Sequence, residues 1–130
     1  MLENIENHPK VKFGKTGVLI INLGTPDGTD FWSIRRYLKE FLSDRRVIDI
    51  NRFLWWLILN CIILVFRPKK TGKAYKEIWN YDKNESPLKT YTRSQAQLLS
   101  ERLKNVEVDW CMRYGNPSIR GGLKSMREKG

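Results

Sequence analysis

The chain is 130 residues long, 41% hydrophobic and 12% aromatic, with 24 Lys and Arg against 14 Asp and Glu for a formal charge of +10. So much apolar material excludes global disorder, and the length suits one domain or part of a larger one. The cationic excess attracts nucleic acid, anionic lipid and polycarboxylates alike, but no nucleic-acid-binding motif accompanies it and no basic tail concentrates it, so most of it reads as solvated surface and nucleic acid is not an expected partner.

Residues 1–15 read as a leader containing His8, the only histidine, whose polar surroundings suit a solvated tail residue rather than a catalyst. Residues 17–23, Gly-Val-Leu-Ile-Ile-Asn-Leu, form a run of the kind buried on both faces of a parallel sheet. The turn-rich stretch 24–28, Gly-Thr-Pro-Asp-Gly, ends it. Thr29 or Asp30 then caps a helix whose apolar residues Phe31, Ile34, Leu38, Phe41 and Leu42 recur at helical spacing up to Ser43 and Asp44. Residues 47–50 make a short apolar link.

The run 53–66, FLWWLILNCIILVF, has Asn60 as its one polar residue. As a helix it reaches about 21 Å, short of the roughly 30 Å hydrocarbon core of a bilayer, so it is a poor transmembrane span. It reads as a buried core helix or an interfacial segment. The paired Trp55 and Trp56, flanked by Arg52 and by Arg67, Lys69 and Lys70, lean towards the interface. Its position fifty residues into the chain excludes a signal peptide.

After Arg67 and Pro68 the pattern predicts a new helix capped by Thr71, with Ala74, Tyr75, Ile78 and Trp79 on one side. A polar loop over 80–85 leads to Ser86-Pro87, a cap followed by proline at the first helical position, opening a helix that runs to about Asn105. Residues 106–114 alternate into a second strand, which Gly115-Asn116-Pro117 ends; Ser118 caps a last helix bearing Ile119, Leu123 and Met126 and stopping at Gly130. Cys61 and Cys111 lie in different elements with no Cys-x-x-Cys and no Cys/His cluster, so they read as reduced packing residues of a cytosolic protein, and no metal site is expected.

Strand, helices, strand, helix is an α/β layout in which long crossovers pair the strands in parallel. Two strands make no stable sheet. The expectation is an N-terminal piece of a longer protein, or strands supplied from elsewhere. Ligands of such sheets gather at the carboxyl ends of the strands, which singles out residues 23–28 and 113–118. The first stretch is neither G-x-G-x-x-G nor a P-loop. The second places Arg113 and Tyr114 at a strand end, where the arginine makes a two-point contact with a ligand carboxylate or pairs with a neighbouring acid.

In order along the chain stand Gly-Val-Leu-Ile-Ile-Asn-Leu-Gly-Thr-Pro from Gly17, Arg36-Tyr37-Leu38, Glu40-Phe41-Leu42-Ser43-Asp44-Arg45-Arg46-Val47, Phe66-Arg67-Pro68-Lys69, Ser86-Pro87-Leu88, and Met112-Arg113-Tyr114-Gly115-Asn116-Pro117-Ser118. Over residues 16–130 this resembles the N-terminal part of bacterial ferrochelatases, lyases that insert iron(II) into protoporphyrin IX to form protohaem. The resemblance implies a Rossmann-like, chelatase-type parallel sheet flanked by helices, present here only in its N-terminal part, with a porphyrin cleft between two similar halves. It implies Leu23 facing the macrocycle, Arg67 and Ser86 near the propionates, and Tyr75, Arg113 and Tyr114 lining the cleft. Residues 36–66 resemble the hydrophobic lip, with Phe53, Trp55 and Trp56 at a membrane surface, implying a cytoplasmic protein held peripherally on the inner membrane. The substrates implied are protoporphyrin IX and iron(II), with no cofactor held by this chain; an iron–sulfur cluster, found on a C-terminal extension of some members, is a question these residues do not reach. The family's metal-facing histidine and its glutamate have no counterpart here. This chain alone is therefore expected to hold half a binding site and no catalytic residue. The alternative is a non-catalytic membrane-surface or tetrapyrrole-binding module.

Overall fold

The computed structural model describes residues 14–130; the leader up to residue 13, His8 included, lies outside them. Strand β1 (Thr16–Gly24) leads to helix α1 (Phe31–Ser43), and α2 (Arg52–Ile58) runs through a π-helical turn (Leu59–Ile63) into α3 (Leu64–Ile78). Helix α4 (Pro87–Arg102), strand β2 (Val106–Tyr114) and helix α5 (Ile119–Glu128) follow. The strands pair in parallel, in register from Thr16 opposite Val106 to Gly24 opposite Tyr114.

Three of the four expected caps are in place. The Asp30 carboxylate accepts the N–H groups of Trp32 and Ser33 at 3.0 Å each, and the Ser86 and Ser118 hydroxyls accept those of Lys89 and Gly121. Each such cap contributes about 1 kcal/mol. Helix α4 stops at Arg102 rather than Asn105, because the chain turns there and Asn105 adopts a left-handed φ of 61°.

Helix α4 packs on one face of the sheet, where Asn22 donates to the Thr92 hydroxyl at 3.0 Å and the Arg93 guanidinium lies 5.3 Å over the Trp110 ring. Helix α5 packs on the other, with Gly122 against Leu19 and Cys111. It covers only the first part of that face. Ile21 and Leu23 therefore stay 52% exposed each, and β1 is not buried on both faces as its composition suggests.

The main core lies to the side of the sheet. The α1 stripe Ile34, Tyr37, Leu38 and Leu42 meets Leu59, Leu64 and Tyr114, with Trp55, Ile63 and Tyr75 at its margin. Burying each of these large side chains fully contributes about 1.5–3 kcal/mol. The helix from Arg52 to Ile78 is continuous, so Thr71 caps nothing and Pro68 sits inside α3. Proline supplies no N–H to the Leu64 carbonyl and its ring presses on that group. The helix loosens just ahead of it, where the Leu64 N–H reaches back to the Leu59 carbonyl. In an unbroken α-helix residues five apart stand about 140° apart around the axis; the wider turn brings Leu59 and Leu64 onto one buried side. Among the described residues no helix is long and apolar enough to cross a membrane.

Candidate functional site

The carboxyl ends of β1 and β2 meet backbone to backbone. Gly24 and Gly115 adopt φ values of 125° and 82°, which only glycine accepts readily. A Cβ on Gly24 would collide with the Tyr114 carbonyl, and one on Gly115 would lie 2.6 Å from the Thr25 carbonyl oxygen. Side chains tie the two loops further. The Gly115 N–H donates to Glu40 Oε2 at 3.1 Å, Asn116 Nδ2 donates to Asp27 Oδ2 at 2.8 Å, and the Tyr37 hydroxyl donates to the Gly24 carbonyl at 3.3 Å. Burial first, and then the neighbouring Tyr75, push Tyr37 ionisation above its ordinary range, so it stays a donor. A cavity of about 160 Å³ remains between the loops, lined by Thr25, Arg36, Tyr37, Glu40 and Asn116 among others.

Arg113 and Tyr114, placed at a strand end by sequence, converge on Asp44, the residue that caps the C-terminus of α1. Asp44 Oδ2 accepts from Arg113 Nη2 and from the Tyr114 hydroxyl, each at 2.8 Å. The Arg46 N–H donates to Oδ1 at 2.9 Å. The Arg46 amide, then Tyr114 and Arg113, hold the Asp44 carboxyl down to about 2. Arg113 is held 5.5 Å over the Tyr114 ring, and that ring meets Phe41 edge to face at 5.1 Å. The expected pairing of Arg113 with a neighbouring acid is present, and the guanidinium stays partly exposed.

The other expected positions are dispersed. Leu23 is half-exposed at the end of β1, next to this cluster. Tyr75 is half-buried against the core, edge-on to Trp79. Arg67 is exposed on α3, where it lines an open groove of about 680 Å³ with Ile62, Ile63, Phe66 and Lys70. Ser86 is 1% exposed, and its hydroxyl oxygen accepts the Lys89 N–H as the α4 cap. Phe53 and Trp56 are 76% and 60% exposed. The expected exposure of Trp55 is not found: it is half-buried at the core margin, and its indole N–H donates to the Leu42 carbonyl at 2.7 Å. Sequence reasoning did not assign Asp44, Tyr37 or Glu40 a place in the site. Asp44 signalled only a helix end, and its side-chain partners lie some seventy residues away. No group of His, Cys, Asp and Glu suited to a metal ion occurs among the described residues.

Comparison with known proteins places this chain in a family. The family model described as ferrochelatase matches residues 15–130. The chain is 60% identical over 127 residues to the ferrochelatase of Agrobacterium fabrum, and 58% identical over 127 residues to that of Rhizobium etli. It is 57% identical over 126 residues to the ferrochelatase of Rhizobium meliloti. Each comparison takes in 95% of this chain and 37% of the relative, so the chain spans a little over a third of the length of these proteins. With its α/β order, its parallel strand pair and a family match running from residue 15 to residue 130, the chain belongs to the ferrochelatase family.

Proposed function

We propose that the protein to which this chain belongs inserts iron(II) into protoporphyrin IX, with release of the two pyrrole N–H protons, and that this chain supplies one wall of the porphyrin cleft. The observation that carries the reading is the 60% identity to a ferrochelatase over 95% of the chain. It favours the enzyme over a non-catalytic tetrapyrrole-binding module. The arrangement suits the ligand: a hydrophobic dianion needs apolar walls for its rings and cations for its carboxylates, and this chain offers half-exposed Leu23 at the end of β1 and exposed Arg67 on α3. Leu23, Tyr75, Arg113 and Tyr114 are the proposed cleft residues, with Arg67 and Ser86 towards the propionates. The exposed aromatics Phe53 and Trp56 are the proposed contact with the cytoplasmic face of the inner membrane, through which the poorly soluble porphyrin arrives. The groups that take the pyrrole protons are not assigned to this chain.

The test is a chimera in which this chain replaces the matching 37% of the Agrobacterium fabrum ferrochelatase. Protohaem formed from iron(II) and protoporphyrin is followed by absorbance. The chimera should form it well above the uncatalysed rate, and the 130-residue chain alone should not. A folded chimera without insertion activity refutes the proposal.

A further inference from the structure

Arg45 and Arg52 belong to different parts of the chain's turn from α1 into α2, yet both line one groove of about 120 Å³. Its walls are apolar, with Ile48 and Ile50 on the connecting link and Trp55 and Trp56 on α2. Part of this lining is fixed in advance, since the Trp55 indole is hydrogen-bonded to the Leu42 carbonyl at 2.7 Å. The rest is open, with Ile50 and Trp56 51% and 60% exposed. Neither guanidinium enters an ion pair among the described residues. The Asp44 carboxylate, next in sequence to Arg45, is engaged by Arg113, Tyr114 and the Arg46 N–H. Asp49 is the only acid between Arg45 and Arg52, and it too is exposed and unpaired among the described residues.

This combination narrows the occupant. A planar guanidinium fork matches a phosphate at two points. A free phosphate would use the arginines and leave the isoleucines and Trp56 idle. A tetrapyrrole is excluded by size, because the groove falls well below the roughly 300 Å³ at which pockets for drug-sized ligands begin. We propose that the groove binds the headgroup of a single anionic phospholipid, its phosphate between Arg45 and Arg52 and the first methylenes of its acyl chain against Ile50 and Trp56. The proposal rests on the membrane reading given above for Phe53 and Trp56, and names the lipid class which that surface selects. Trp56 belongs to both, so the groove continues the proposed contact surface. Any cation near a leaflet draws anionic lipid; a built groove also needs the arginine fork and the apolar wall.

The experiment uses the full chain, carried intact in the chimera described above. Titration calorimetry measures binding of dihexanoyl phosphatidylglycerol, dihexanoyl phosphatidylcholine and inorganic phosphate, the lipids kept monomeric, and sedimentation measures binding to anionic vesicles. The parent should bind the glycerol lipid more tightly than the choline lipid or inorganic phosphate. Arg45→Gln with Arg52→Gln should weaken the glycerol lipid about tenfold, whereas Lys69→Gln with Lys73→Gln, the same loss of charge on α3, should change it less than about twofold. Arg45→Lys with Arg52→Lys should leave vesicle binding intact and recover little of the monomer binding, because charge is kept and the fork is lost. Ile50→Ser should weaken the lipid and leave inorganic phosphate unchanged; if the glutamine pair does not fold, this variant and the lysine pair decide. Full recovery by lysine, equal loss from the α3 pair, or inorganic phosphate bound as tightly as the glycerol lipid overturns the inference. A parent that binds no vesicles refutes the membrane reading and the groove together. A parent that binds anionic vesicles but not the monomeric glycerol lipid refutes the groove alone.

Discussion

The helix from Arg52 to Ile78 presents apolar residues on two sides, and the two sides predict opposite outcomes on substitution. Its inner side carries Trp55, Leu59 and Leu64 against α1; its outer side carries Phe53, Trp56, Ile62 and Phe66. Removing Phe53 and Trp56 together, as Phe53→Ser with Trp56→Ser, tests the outer side. An aromatic side chain offers about 200 Å². At exposures of 76% and 60% the pair leaves roughly 270 Å² open, worth a ceiling of about 7 kcal/mol if wholly buried and about 3 kcal/mol if half-buried in an interface. The half-buried figure is about a hundredfold in affinity. Folding should barely register the change, since exposed substitutions usually stay within about 0.5 kcal/mol.

Trp55→Ser should do the reverse. It removes half-buried ring area and leaves the Leu42 carbonyl without its 2.7 Å donor, costing about 2–3 kcal/mol of stability by comparison with fully buried Trp truncations. The assay pairs urea unfolding with sedimentation on vesicles of anionic and neutral lipid. Arg52, Arg67, Lys69 and Lys70 flank the patch. Each adds about 1 kcal/mol of attraction to an anionic leaflet, so the parent should prefer anionic vesicles and release them in salt. A Phe53/Trp56 double variant that binds vesicles as tightly as the parent refutes the membrane reading. So does a parent that ignores anionic vesicles. Unfolding of the double variant would instead make the outer side part of the core.

Arg93→Ala should destabilise the chain by about 3 kcal/mol in urea unfolding. It strands the Glu85 carboxylate, 6% exposed and bridged by Arg93 Nη1 at 2.7 Å, and the partial exposure of Arg93 puts the effect at the low end for broken buried pairs; an unchanged midpoint would show that the pair does not hold the 80–85 turn. Acid should reveal Asp44. Its folded pKa lies below its ordinary value of 3.8, at about 2, so its stabilisation is complete above roughly pH 4 and is lost as pH falls from there towards 2. Thermal melts across that window should lose less stability in Asp44→Asn than in the parent, and identical acid slopes would contradict the pairing.

Local chemistry was legible in the sequence where it acts locally. Asp30, Ser86 and Ser118 were readable as caps because each needs only its next three residues, and the parallel pairing followed from the length of the crossover. The strand-end rule likewise pointed to Leu23, Arg113 and Tyr114. What escaped depends on contacts between distant stretches. Pro68 normally ends a helix, but burial of Leu64 and Pro68 against α1 outweighs that preference and a π turn absorbs the misfit. Trp55 and Trp56 are indistinguishable by composition; only the Leu42 carbonyl separates the anchored ring from the exposed one. Asp44 looked like a helix stop because the guanidinium it meets belongs to a strand 69 residues later.

These long-range contacts are arranged around one short connection. Residues 45–51 join α1 to α2, and both ends of this link are pinned. At its start Asp44 binds Arg113 and Tyr114 on β2; just past its end Trp55 binds the carbonyl of Leu42 on α1. The two anchoring positions on α1, Leu42 and Asp44, are two residues apart. A helix fixed only by its apolar inner side could slide along α1, because hydrophobic contact is not directional. Two hydrogen-bonded anchors remove that freedom and set how the exposed aromatics sit relative to the strand ends. Under the function proposed here, that constraint keeps the face that meets the membrane aligned with the cleft residues at the strand ends.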